Sequence, residues 1–140
     1  KDIAFDIDES INVSGNSGPY LQYTYARINS IIKKSEVRSK KLEIRKLKFG
    51  NLSEHKENQL IMKLARYPEA VEAAGKNYDP SEVAKYLFEL AQEFNEYYHA
   101  VPVLKAKAEI RLARLVLISS IKQVIANGLD LLGIEVVEEM

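Results

Sequence analysis

Cysteine is absent from the 140 residues. That excludes disulfide frameworks, zinc–thiolate sites and cysteine nucleophiles. The absence fits a reducing compartment, and a cytoplasmic protein is expected. No run of apolar residues approaches the roughly 20 that a bilayer-spanning helix needs, so no membrane is expected as a partner. The first residues, Lys1-Asp2-Ile3-Ala4-Phe5-Asp6, are acidic and unlike a signal peptide. They also lack an initiator Met, which suggests a fragment. Catalytic patterns are missing too. There is no G-x-x-x-x-G-K-[ST] loop, no G-x-G-x-x-G after a strand and no H-E-x-x-H. The two histidines, His55 and His99, are not at metal-ligand spacing. Asp6, Asp8 and Glu9 lack the glycine and the distal Glu of a calcium loop. Glu89 and Glu93 read as a solvated helix face. No catalytic residue and no metal site are therefore expected in these residues.

What is present suits one domain. Hydrophobic content of 46% and charged content of 29% are ordinary for a globular chain, and 140 residues can bury a real core. The net charge of zero conceals a separation of charge. Residues 27–48 hold nine basic side chains against Glu36 and Glu43, a local charge of +7. Residues 101–127 hold Lys105, Lys107, Arg111, Arg114 and Lys122 against Glu109, or +4. The first twelve residues, residues 78–97 and the last twelve are acidic. A concentrated basic patch attracts polyanions even on a neutral protein.

Helical spacing recurs along most of the chain. A helix is expected from Gly18 to about Val37. Residues 35–53 mix strand-like and irregular patterning, so periodicity does not decide their conformation. A second helix is expected to start with Ser53 as N-cap, to bury Leu60, Ile61 and Leu64, and to end at Tyr67-Pro68. A short helix over Glu69–Ala74 would close at Gly75. Asp79 and Pro80 open the next, in which Val83, Leu87, Leu90, Phe94 and Tyr97 form a core stripe. A long helix then runs from about Val103 to about Ala126, apolar on most sides around Leu112–Ile121, with Lys107, Arg111 and Arg114 on one face. Gly133 would turn the chain after it. The expected fold class is all-α, a bundle of four to six helices.

The most distinctive stretch is Ser14–Ile32, S-G-N-S-G-P-Y-L-Q-Y-T-Y-A-R-I-N-S-I-I. Gly15, Asn16 and Gly18 suit an irregular loop, Ser17 an N-cap and Pro19 the first helical turn. Leu21, Tyr25, Ile28 and Ile32 make an apolar stripe. Tyr20, Tyr23, Arg27, Ser30 and Lys34 recur on a second face, aromatic at one end and basic at the other. Two readings compete for it. The tyrosines pack on neighbouring helices, or their rings stack on unpaired bases while Arg27, Lys33 and Lys34 meet phosphates. On the residues alone the chain is a binding module, with RNA loops as the candidate ligand. A helical protein-interaction module without RNA binding is the alternative.

The wording of this stretch resembles the G-N-T-G-P-Y-L-Q-Y-A-H-A-R tract of arginyl-tRNA synthetases. Phe5-Asp6-Ile7-Asp8 is similar to the F-D-x-D segment before that family's glycine loop. Tyr67-Pro68-Glu69-Ala70-Val71 resembles its F-P-E-x-V run. Tyr86–Ala91 and Phe94–His99 resemble its Y-L-x-x-L-A…F-N-x-F-Y helix. Gly128–Ile134 resembles its G-L-x-L-L-G-I ending. The family's final P-E-R-M is here Val137-Glu138-Glu139-Met140, which lacks the Pro and the Arg. The resemblance implies the helical, C-terminal anticodon-binding domain of class I aminoacyl-tRNA synthetases over 18–140. Residues 1–17 would be a linker and glycine loop leading from the catalytic domain. It implies arginine tRNA, through its anticodon loop, and the catalytic domain of the same chain as partners, with no DNA. It implies Asn16, Tyr20, Tyr23 and Arg27 as tRNA-binding residues, with Arg111, Arg114 and Met140 beside them. The parent enzyme would join arginine to its tRNA using ATP with magnesium. The H-I-G-H and K-M-S-K-S elements that handle ATP are absent here, so this piece alone should need no cofactor and be inactive.

Overall fold

The structure is a computed structural model that describes residue 7, residues 17–35 and residues 49–140. Five α-helices are present among the described residues, α1 (Gly18–Lys34), α2 (His55–Ala65), α3 (Tyr67–Asn77), α4 (Ser81–Ala100) and α5 (Ala108–Leu131), with a 3-10 turn at Phe49–Asn51. No strand occurs among these residues. The expected glycine loop before Ser17 and the basic segment Arg38–Lys48 lie outside the described residues.

Ser17 caps α1, its Oγ accepting from the Tyr20 backbone N–H at 3.3 Å. The apolar stripe of α1 packs inward as its spacing requires, with Leu21, Tyr25 and Ile28 buried and Ile31 beside them. α4 buries Val83, Leu87, Leu90, Phe94 and Tyr97, again at the expected spacing. Asp79 precedes α4 and accepts from Ser81 N–H at 2.9 Å. Hydrogen bonding from the Ser81 side chain, and then from its backbone, holds the Asp79 carboxyl below the usual range. α5 lies against α1, α2 and α4. Its length and composition would allow a membrane crossing, contrary to the expectation that no segment does. Its position explains the composition. Ile118, Ile121, Ile125 and Leu129 are fully enclosed by the other helices.

Several local expectations change. The N-cap of α2 is Glu54, not Ser53. Leu60 is buried on α2, but Ile61 is exposed and Glu57 takes the inward position instead. α3 does not stop at Gly75. It runs to Asn77, and Tyr78 takes the left-handed conformation (φ 51°) that ends it. α5 starts at Ala108, after turns over 101–107 that include the buried Val101 and Val103. α5 runs past Ala126 to Leu131 and takes in Gly128, where a Cβ would come within 2.6 Å of Leu87, so the glycine permits α4 and α5 to approach. The closure falls on Gly133 (φ 70°). Ile134 N–H donates to the Leu129 carbonyl at 2.9 Å and Gly133 N–H to that of Asp130 at 3.0 Å, the paired bonds of a Schellman motif.

Candidate nucleic-acid interface

The outward part of α1 is flanked by α4 on one side and by the C-terminal tail on the other. Ring and charge are arranged along it as the spacing predicts, but the side chains differ in how they are held. Tyr23 is exposed (40%) and Lys34 is exposed. Tyr20 is half-buried. Its ring lies 5.4 Å from that of Phe88 on α4, and its hydroxyl oxygen accepts from Asn95 Nδ2 at 2.9 Å. Arg27 is half-buried, donates from Nη1 to Asn95 Oδ1 at 2.8 Å and sits over the Tyr98 ring at 5.2 Å. Tyr23 therefore offers an open face for stacking, whereas the Tyr20 ring is engaged in packing. Arg27 is oriented by a neutral amide and an aromatic face, so its positive charge is not cancelled by either.

The tail runs alongside α1. Gln22 Nε2 donates to the Glu135 carbonyl at 2.7 Å. Asn29 Nδ2 donates to Glu138, to the carbonyl at 3.1 Å and to Oε2 at 2.6 Å. Lys33 pairs with Glu139 at 2.8 Å and with Glu138 at 3.9 Å. These contacts carry the exposed Met140 toward the C-terminal end of α1, next to Lys33 and away from Tyr20. Lys122 donates to Asn29 Oδ1 at 3.0 Å and lies 5.0 Å from the Tyr25 ring, so this lysine is used inside the fold.

The second basic patch divides. Lys105 and Lys107 are exposed and Arg111 is half-buried. Arg114, one turn on from Arg111, is not open to solvent with them. It is buried, its Nε donates to Glu57 Oε1 at 2.6 Å, its Nη1 donates to the Pro102 carbonyl at 2.9 Å and its Nη2 lies 3.8 Å from Glu54. Tyr97 donates to the same Glu57 oxygen at 3.2 Å, and burial followed by the Glu57 charge pushes its hydroxyl up. Glu57 Oε2 accepts from the Glu54 backbone N–H at 2.9 Å. Arg114 thus pins α2, α4 and α5 together rather than facing a ligand. Asn16 lies outside the described residues. Sequence reasoning missed Asn95, Asn29 and Glu57, whose partners are far away in the chain. The Asn of the F-N-x-F-Y wording was the one available signal for Asn95.

Comparison with known proteins follows the same lines. A family model described as the DALR anticodon binding domain matches residues 21–140. An arginine–tRNA ligase of Parabacteroides distasonis is 43% identical over 142 residues, covering 100% of this chain and 24% of that protein. One from Thermococcus kodakarensis is 43% identical over 144 residues, covering 100% and 22%. The chain thus spans about a quarter of the length of these curated relatives. Among solved structures, Thermus thermophilus arginyl-tRNA synthetase superposes with a TM-score of 0.84 at 33% identity, covering 100% of this chain and 24% of that one. Arginyl-tRNA synthetase from Plasmodium falciparum gives 0.80 at 26%, with coverage of 100% and 24%.

Proposed function

Because the chain belongs to the DALR anticodon-binding domain family, we propose that it binds arginine tRNA by its anticodon loop, as the C-terminal part of a cytoplasmic arginine–tRNA ligase. Its main support is the α1 face, where the exposed Tyr23 ring stands one helical turn from the half-exposed, uncancelled Arg27. Residues 18–140 are the binding domain, and residues 1–17 lead into it from the catalytic domain of the same protein. Every arginine anticodon has C in its middle position. Tyr23 stacks an unpaired loop base, Arg27 and Lys34 hold phosphates, and Lys33, Arg111 and Met140 lie at the edges of the contact. The glycine loop with Asn16 adds backbone groups at the N-terminal end. ATP and magnesium serve the parent ligase. The H-I-G-H and K-M-S-K-S elements that handle ATP are not in this sequence, and the ATP chemistry is assigned to the rest of the parent.

The test is binding to transcribed arginine tRNA and to the same tRNA with its middle anticodon C replaced, at two salt concentrations. Weaker binding after the replacement, with steep loss at higher salt, is the expected result. Equal, salt-sensitive binding to both would reduce the surface to a phosphate clamp. Binding to neither tRNA, with salt-insensitive capture of a protein, would favour a helical protein-interaction module.

A further inference from the structure

Asn95 stands on the side of α4 that faces α1 and touches two residues of the interface. Its Oδ1 accepts from Arg27 Nη1 at 2.8 Å, and its Nδ2 donates to Tyr20 Oη at 2.9 Å. Nδ2 also lies 3.5 Å from Thr24 Oγ1. Chemistry decides which end of the amide faces which partner. A guanidinium has only donors, so it requires Oδ1. Thr24 is buried, and its hydroxyl hydrogen goes to the Tyr20 backbone carbonyl at 3.0 Å. Only oxygen lone pairs are left there for the amide, and these require Nδ2. Two partners thus impose the same orientation.

The consequence falls on Tyr20. Its oxygen receives a hydrogen from the amide, so its own hydroxyl hydrogen must go elsewhere. Among the described residues no acceptor takes it. The ring is held against Phe88, which fixes the position of the hydroxyl. An oxygen that already accepts a bond is also a better donor, because chained hydrogen bonds polarise one another.

We propose that Asn95 is a positioning residue that keeps the Tyr20 hydroxyl hydrogen turned outward, so that Tyr20 donates it to an oxygen or ring-nitrogen acceptor of bound RNA. This rests on the RNA-binding reading above and deepens it. Tyr20 acts through its hydroxyl, where Tyr23 acts through its ring. The acceptor is either the edge of an unpaired base or an oxygen of the sugar–phosphate backbone.

Asn95→Asp reverses the polarity at nearly constant shape. A carboxylate accepts from Arg27 and from Tyr20 alike, and so draws the hydroxyl hydrogen inward. Tyr20→Phe keeps the ring and removes the donor. The affinity of the full chain for arginine tRNA is measured for both variants and for the double variant, with Tm beside each. Each single change should weaken binding about fivefold to tenfold, with the fold intact. The double variant should bind no more weakly than Asn95→Asp, because a Tyr20 hydroxyl turned inward has no contact left to lose. Further loss on adding Tyr20→Phe to Asn95→Asp would mean that the hydroxyl still donates to RNA beside the carboxylate, which overturns the proposal. Wild-type binding by Tyr20→Phe overturns it as well. Failure of the unaltered protein to bind the tRNA would instead overturn the RNA-binding reading itself. Repeating the series on tRNA with the middle C replaced locates the acceptor. A Tyr20→Phe effect that survives puts it on the backbone, and one that disappears puts it on the base.

Discussion

The molecule places a tyrosine and an arginine on a shared polar side chain twice, with opposite results. In the core, Arg114 and Tyr97 both donate to Glu57. On α1, Arg27 donates to Asn95, but Asn95 donates to Tyr20. The difference lies in the shared group, an acceptor-only carboxylate in Glu57 and an amide with one accepting and one donating end in Asn95. The carboxylate cancels the arginine charge and takes the tyrosine hydrogen, so the core triad is closed and can be buried. The amide does neither, so the surface triad keeps a positive charge and a hydrogen to offer. Residue type alone does not separate the arginine that holds the fold from the one proposed to meet tRNA. The partner does.

The core triad should be broken most severely by removing one side of it. Arg114→Leu leaves the fully buried Glu57 charge without its cation, a loss of about 3–5 kcal/mol. Adding Glu57→Leu should restore much of it, because two apolar side chains need no counter-charge. Urea denaturation of the two variants measures both, and a double variant as unstable as the single would contradict the pairing. On the surface side, Tyr23→Ala should lower tRNA affinity by about 1–3 kcal/mol for one stacked base. Its exposed ring contributes little to the core, so Tm should barely move. A large fall in Tm would make Tyr23 a packing residue like Tyr97.

Gly128→Ala damages the same bundle without touching either triad. Overpacking against the enclosed Leu87 costs about 1–3 kcal/mol, and the better helix propensity of Ala returns about 1. A net loss of about 1 kcal/mol is expected, with tRNA affinity of the folded protein unchanged. The smallest effect concerns pH. Hydrogen bonding to Ser81 lowers the Asp79 carboxyl below its unfolded value. The stability it contributes is present above about pH 4 and is lost as pH falls through the lowered value. Asp79→Asn should therefore show a shallower acid limb when Tm is followed from pH 6 to pH 2.

What was legible in the sequence is what is local. Ser17 and the stripes of α1 and α4 follow from spacing, because caps and helical faces involve residues a few positions apart. The resemblance of Gly18–Arg27 to a synthetase tract supplied the family. The fate of Arg114 was not legible, since its partner Glu57 is 57 positions away. A charge count could only group it with Lys107 and Arg111. Asn95 was hidden for the same reason, 68 positions from Arg27 and 75 from Tyr20. The Gly75 stop failed differently. Glycine permits the left-handed conformation without requiring it, and Tyr78 adopts it three residues later.

The most direct measurement compares Arg27→Gln with Arg114→Gln, each followed by Tm and by the salt dependence of tRNA affinity. Arg27→Gln should leave Tm nearly unchanged and reduce the slope of log affinity against log salt by about 0.7–0.9, the loss of one phosphate contact. Arg114→Gln should lower Tm sharply and leave the slope of the folded fraction unchanged. The opposite pattern, with Arg27 holding the fold and Arg114 carrying the salt dependence, would contradict the assignment of the two triads.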